Sequence, residues 1–407
     1  MKYTIGQLAE IIDGDRGKNY PQQHEFLEDG YCLFLNTGNV TATGFSFESN
    51  QYISKEKCDL LRKGKLQRRD IVYTTRGTVG NAAFYADSVP YEHIRINSGM
   101  VIIRPNEDVV CTEFLYQILK SDYYRPYFKK YCTGSAQPQL PIKNFSTIEL
   151  DLPDLETQQK ISDMLFAYDD LIENNQKQIK LLEEAAQRLY REWFVDLRFP
   201  GHETTPIIDG IPRGWEDKVI EDLCDSIGGG TPSTKNDEYY RDGQIKWVTP
   251  TDITRKNGLI LLDTEKKITE EGLQHSSAKM VPPYTILMTS RASVGFFGLC
   301  EYEVCTNQGF ISCIPYQENT RYYLLYNLMN RVDEIRAKAS GSTFLEISKK
   351  NFRGLRIVLP TDSVLDAFTK LIFPMARQME TLTKSIATLQ EARDRLLPKL
   401  MNGAIEV

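Results

Sequence analysis

The clearest pattern of apolar and polar positions along the chain lies in two long stretches. Ile161, Leu165, Tyr168, Ile172, Asn175, Ile179, Leu182, Ala186, Leu189 and Trp193 follow one another at spacings that alternate between four and three residues. That period predicts a helix with a coiled-coil seam more than four heptads long. At a constant offset of 207 residues the register recurs as Phe368, Ile372, Met375, Met379, Leu382, Ile386, Leu389, Arg393, Leu396 and Leu400. At about 1.5 Å per residue each helix would run roughly 50–60 Å. Pro374 is expected to kink the second helix near its start and Pro398 to loosen its last turn. Asn175, polar within the first seam, either fixes partner and register or sits where the seam is solvated.

Between these stretches the pattern changes. Short β-rich runs such as Asp70-Ile71-Val72-Tyr73-Thr74 and Met100-Val101-Ile102-Ile103 are separated by turn clusters, and helical runs follow at 112–121 and 320–338. Both globular parts therefore read as mixed α/β with a dominant sheet. They are also copies of one another. Arg76-Gly77-Thr78-Val79-Gly80 lies on Arg291-Ala292-Ser293-Val294-Gly295 at an offset of 215, and 34–40 lies on 247–253 at 213. Asn144-Phe145 and Leu152-Pro153 lie on Asn351-Phe352 and Leu359-Pro360 at 207. One unit of about 200 residues is thus written twice, each a globular part followed by a helix, a period far too long for a solenoid. Antiparallel pairing of the two helices would set the globular parts at opposite ends about a pseudo-twofold, and parallel pairing would set them on one side.

Composition adds little to that architecture but narrows the setting. The 407 residues are 41% hydrophobic and 26% charged, with a formal net charge of −6, ordinary for globular domains. No apolar run approaches the length of a bilayer span, and Met1-Lys2-Tyr3-Thr4-Ile5 has no apolar stretch of signal-peptide type behind it, so a cytoplasmic protein is expected. The negative excess is uneven: +1 over 1–150, −5 over 151–200, −2 over 201–357 and zero over 358–407. The globular parts are near neutral. A basic run at Arg62, Lys63, Lys65, Arg68 and Arg69 reads either as a nucleic-acid face or as a solvated surface.

Enzyme signatures fail one by one. The eight cysteines and four histidines form no ligand-spaced cluster, and Cys300 with Cys305 reads as buried strand residues, so no metal is expected. Val281-Pro282-Pro283-Tyr284 resembles the loop of amino-methyltransferases, but Val cannot supply the amide or carboxylate needed at its first position. Gly228–Lys235 is no P-loop, and neither H-E-x-x-H nor G-x-S-x-G occurs. No catalytic residue is expected in this chain.

What the globular parts do carry, in duplicate, is glycine-bearing loops of Ser, Thr, Gln, Asn and Arg. That chemistry suits phosphate contact and hydrogen bonding to base edges, though for a single loop plain turn formation explains it as well. Arg76 and Arg291 are candidate contacts to phosphate or a guanine edge, since the guanidinium is a bidentate fork; the competing reading is an Arg that bridges two loops. Thr75, Ser290, Gln137, Gln139, Thr343 and Lys349 are further candidates. Trp193 and Phe194, at the end of the first helix, either dock a partner or cap the seam.

Taken together, these residues resemble the specificity (S, or HsdS) subunits of type I restriction–modification systems. The resemblance spans essentially the whole chain. Each repeat has a segment opening on Gly-Ser (Gly134 to Leu140, Gly341 to Ile347), then Asn-Phe, Leu-Pro and a long helix. Gly229-Gly230-Thr231-Pro232-Ser233 through Ile245–Ile253 looks like the opening of a target-recognition domain, with Pro212-Arg213-Gly214-Trp215-Glu216 as its lead-in. The first repeat departs from this, opening on Gly14-Asp15-Arg16-Gly17-Lys18 without the Trp. The resemblance implies target-recognition domains at 1–150 and 199–357, with helical spacers at 151–198 and 358–407. It implies an α/β fold in which a pair of long antiparallel coiled-coil helices separates the two domains. It further implies a non-catalytic DNA-reading subunit that holds no cofactor itself. Its partners would be double-stranded DNA, two methyltransferase subunits carrying S-adenosylmethionine, and motor-nuclease subunits. A self-contained DNA-modifying enzyme and a coiled-coil scaffold without base reading are the competing functions.

Overall fold

The computed structural model describes residues 1–134, 137–255, 258–341 and 344–405. They form two compact units, 1–171 with 388–407 and 172–387. The helices are not bodies of their own, since each unit takes a segment of both. The central helix, Leu155–Tyr190, begins in the first unit and ends in the second, and the distal helix, Asp362–Met401, begins in the second and ends in the first.

In the first unit, Ala9–Asp13, Met100–Pro105, Ile71–Thr74 and Ala82–Phe84 make an antiparallel sheet in that spatial order. A second sheet sets Cys32–Leu35 between Tyr52–Ile53 and a parallel neighbour, Ile94–Ile96. Lys2–Thr4 pairs with Glu149–Asp151 and closes the unit. The second unit repeats every step. Cys224–Gly228, Phe310–Pro315, Ile286–Thr289 and Phe297–Gly298 form the four-stranded sheet. Ile245–Val248 lies between Lys266–Ile268 and the parallel Cys305–Thr306, and Glu216–Val219 pairs with Arg356–Leu359.

The strands read as unbroken apolar runs because both sheet faces are covered. Ile71, Tyr73, Val101 and Ile103 pack on the side of helix Thr112–Lys120, while Val72, Met100 and Ile102 pack on the other sheet. In the second unit Ile286, Met288 and Ile311 face one core, and Leu287 and Phe310 the other. The run expected as one helix over 320–338 is two, Arg321–Asn330 and Val332–Ala337, because Arg331 leaves helical geometry.

The opening of the first repeat departs in sequence but not in packing. A Cβ at Gly14 would stand 2.3 Å from the carbonyl oxygen of Asn97, and one at Gly229 would stand 2.2 Å from that of Asn307. Asn97 and Asn307 in turn accept the amides of Gly99 and Gly309. Backbone meets backbone at the same place in both units, so only glycine fits there.

The twenty seam positions are all buried or half-buried. In the first unit Ile161 and Leu165 share a core with Leu396, Leu397 and Leu400, and Asp169 meets Arg393 at 2.7 Å. In the second, Ile172 is buried, Asn175 donates to the Ser385 hydroxyl at 3.2 Å, and Trp193 packs on Phe368 with ring centroids 5.8 Å apart. Rising numbers on one helix meet falling numbers on the other, so the pairing is antiparallel. Ile179 joins this core with Ile372, and Leu182, Leu189 and Ile386 pack against it; Leu389 is half-buried in the first unit. The distal helix begins at Asp362, so Pro374 lies well inside it rather than near its start, and helical backbone continues through both Pro374 and Pro398. Trp193 and Phe194 close the seam from within: Phe194 lies 4.9 Å from Phe368 and 4.8 Å from Tyr323, ring to ring.

Candidate nucleic-acid interface

The candidate site is built on the turn after the third strand of each four-stranded sheet. In the first unit the chain leaves Ile71–Thr74 and must reverse into Ala82–Phe84. Thr74 organises the reversal: its carbonyl accepts from Gly80 at 3.1 Å, its hydroxyl accepts the Asn81 amide at 3.0 Å, and that hydroxyl donates to the Thr78 carbonyl. The amides of Thr75 and Arg76 both donate to Gly99 O, at 2.9 and 3.1 Å. A second loop zips onto the first. Leu140 donates to the Thr75 carbonyl at 2.9 Å, and Thr133 and Gln139 exchange both backbone bonds, setting Gln139 opposite Arg76.

The second unit builds the same frame from different residues. Thr289 accepts from Gly295 and Phe296 at 2.9 Å each, and its hydroxyl donates to Ser293 O. Ser290 donates to Gly309 at 2.7 Å, Ile347 donates to Ser290, and Ser340 and Glu346 exchange backbone bonds, setting Glu346 opposite Arg291. Ala292 also donates to the Leu345 carbonyl at 2.8 Å. The two Arg–loop pairings lie at the offsets of 215 and 207 read from the sequence.

Arg76, Gln137, Gln139, Arg291 and Lys349 are exposed on these loops or just after them. Thr75 and Ser290 are not. Both side chains are buried, and Thr75 spends its hydroxyl on Gly99 O, so these two position the loops rather than present a contact. Thr343 lies outside the described residues. Lys349 opens helix Lys349–Arg353 and lies along the backbone at Gly228, apart from the Arg291 pairing. Arg291 does bridge two loops, with its Nε 3.7 Å from Glu346, whereas Arg76 faces neutral Gln139 and makes no ion pair among the described residues. Exposed pairs such as Arg291–Glu346 stabilise by about 0–1 kcal/mol, so the guanidinium can exchange its partner.

Helix Arg125–Lys129 lines the same edge. Thr78, Asn81, Arg125, Lys129, Cys132 and Pro138 surround a cleft of about 600 Å³. Beneath it the Tyr73 hydroxyl is buried with no hydrogen-bond partner among the described residues, and burial pushes its pKa well above the ordinary value. In the second unit the corresponding helix Val332–Ala337 reaches the turn through Arg336, which donates to Val294 O at 3.0 Å. Charge concentrates here despite the acidic total: 125–146 holds four basic residues and no acidic one, and 336–353 holds five and one. Arg125, Lys129 and Arg336 were missed from sequence because charge counted over whole domains averages such an edge away. The basic run at 62–69 is instead partly structural. Arg68 stacks on Tyr85 at 4.2 Å, and Arg69 pairs with Glu107 and Glu113.

The rejected sequence signatures have structural roles. Tyr284 accepts from Arg377 at 2.7 Å and donates to buried Glu380, tying its turn to the distal helix within the second unit. Cys300 and Cys305 are buried, the latter in a strand. Among the described residues no helix is long and apolar enough to cross a membrane.

Comparison with known proteins agrees with this geometry. The family model described as the type I restriction modification DNA specificity domain matches residues 1–184 and 212–387. The chain is similar to the type I restriction enzyme HindI specificity subunit of Haemophilus influenzae, 27% identical over 98% of this chain and 100% of that one. It is also similar to the MjaIX specificity subunit of Methanocaldococcus jannaschii, 25% identical over 83% of this chain and 78% of that protein. Among solved structures, the type I restriction-modification S subunit from M. genitalium shares the fold, with a TM-score of 0.58, 16% identity, and coverage of 98% of this chain and 95% of that one.

Proposed function

The chain belongs to the family of type I restriction–modification DNA specificity domains, and from that membership we propose that each unit reads one half of a bipartite, asymmetric DNA sequence. The protein is the specificity subunit, a reading component without catalysis of its own. The observation that carries the two-half reading is the duplicated frame: one backbone scaffold, built twice, presents unlike side chains at the same exposed turn. Identical frames dock on the duplex in the same way, and unlike side chains select unlike bases.

The basic edges supply phosphate contacts that set position, while the exposed Arg76, Gln137, Gln139 and Arg291 face base edges. The total charge of −6 makes the electrostatic share of affinity small, so tight binding needs the partner subunits. Those partners are two methyltransferase subunits, which bring S-adenosylmethionine, and the motor-nuclease subunits that join for cleavage; this chain holds no cofactor. Apolar side chains left exposed on the helices support docking there, Met164 in the first unit and Leu181, Leu371 and Phe373 in the second. The length of the helices sets the gap between half-sites, and the complex works in the cytoplasm, where its DNA is.

The test is the methylated sequence itself. DNA from a host expressing this chain with its methyltransferase partner is expected to carry methyladenine in a split, non-palindromic sequence. A contiguous or palindromic sequence would overturn the reading.

A further inference from the structure

On the shared frame the two turns correspond position by position. The amides of Asn81 and Phe296 make the same bond to Thr74 and Thr289. Arg125 and Val332 are the neighbours that a Cβ on Gly80 or Gly295 would meet. On the second loop Gln137 and Pro138 correspond to Phe344 and Leu345. The first unit thus presents Asn, Arg, Gln and Pro where the second presents Phe, Val, Phe and Leu. Phe344 is 57% exposed, Leu345 50% and Phe296 40%. One such residue on a surface needs no explanation, but Phe344 and Leu345 stand exposed in succession on a loop that the Ala292–Leu345 hydrogen bond ties beside Arg291, and Phe296 is exposed at the far end of the turn that Ala292 belongs to.

We propose that the second unit selects thymine in its half-site by packing the exposed Phe344 and Leu345 against the C5-methyl groups in the major groove, with Phe296 of the neighbouring turn as a further apolar contact. This rests on the DNA-reading function above and specifies its chemistry. Duplex DNA offers apolar side chains two kinds of surface. Base faces are closed within the stack and open only at the expense of unstacking, whereas thymine methyls already line the major groove. The first unit, with Arg125 and the exposed Gln137 at the matching positions, reads instead by hydrogen bonds, to which a methyl group contributes nothing; Asn81 spends its side-chain amide on the Val40 carbonyl.

The test uses the full chain bound to its methyltransferase partner and duplexes carrying its own recognition sequence. The half-site of the second unit is the one left unchanged when residues 1–150 are exchanged for those of another specificity subunit. Replacing its thymines by deoxyuridine removes only the methyls. Binding is expected to weaken about fourfold for each methyl in contact, with no such loss when the other half is treated alike. In a Phe344→Gln, Leu345→Gln chain the two duplexes should bind equally, and both substitutions are on exposed side chains, so retained partner binding reports folding. A half-site without thymine, or indifference of the wild type to deoxyuridine, would overturn the proposal. So would a variant that loses affinity while still discriminating T from U, which would place the patch against a base step or a partner subunit. Failure to find any split sequence would instead remove the reading of one half-site per unit, and this proposal with it.

Discussion

Asp169 on the central helix and Arg393 on the distal helix meet at 2.7 Å in the first unit, and Lys120 reaches the same aspartate at 2.6 Å. Arg393 stands at a seam position whose counterpart on the central helix is Ala186, so the cation sits where packing alone would call for a small apolar residue. Its presence is explained by the carboxylate opposite. Removing one partner of a buried ion pair leaves the other charge uncompensated, which costs about 3–5 kcal/mol. Asp169→Ala should therefore destabilise the first unit by about 3 kcal/mol, as a shift in urea midpoint. Arg393→Ala should cost less, because Lys120 remains to balance Asp169.

The same network gives the chain an acid limit. Burial alone would raise the Asp169 pKa, but Lys120, Gln117 and Arg393 outweigh it and hold the carboxyl below its ordinary value. A group held low when folded stabilises the fold above its unfolded value of about 4, and that contribution is lost as pH falls through the folded value. Stability of the wild type should thus fall below about pH 4, and Asp169→Asn should flatten that part of the profile. A profile unchanged by the substitution would show that Asp169 does not set it.

Arg76 and Arg291 hold equivalent places with unequal partners, Gln139 and Glu346. Arg76→Ala should weaken binding to its half-site about tenfold. If Arg76 meets phosphate rather than a base, the salt dependence of binding should fall by about one ion. Glu346→Gln releases Arg291 from its carboxylate and should tighten binding at low salt, most visibly by a faster association rate.

The helices offer a geometric prediction. One heptad adds about 10 Å along a helix, equal to about three base pairs of duplex. Seven residues inserted in register in both helices, after Leu171 and after Ala387, should widen the gap in the methylated sequence by two to three base pairs. An unchanged gap would show that the helices do not measure it.

Much of this was legible in the sequence, for reasons that differ from element to element. The seam was readable because a coiled coil repeats one simple demand every three or four residues, and even its exceptions, Asn175 and Arg393, stayed in register. The duplication was readable because Arg76-Gly77 and Arg291-Ala292, and Asn144-Phe145 and Asn351-Phe352, keep matching order at nearly constant offsets, whereas the equivalence of Gly14 and Gly229 shows only in the backbone approach each permits. Thr75 and Ser290 misled, since a small polar residue beside an exposed Arg looks the same in sequence whether its side chain faces solvent or ties a loop from within. The antiparallel sense of the helices was not readable from either helix alone. It depends on which cores Leu397 and Phe368 enter, and each of those is assembled from residues far apart in the chain.

If each unit reads one half of the target, exchanging residues 1–150 for the corresponding segment of another specificity subunit and sequencing the methylated DNA will separate the two halves. One half of the sequence should change while the other half and the gap stay as they were. A sequence altered in both halves, or in neither, would contradict it.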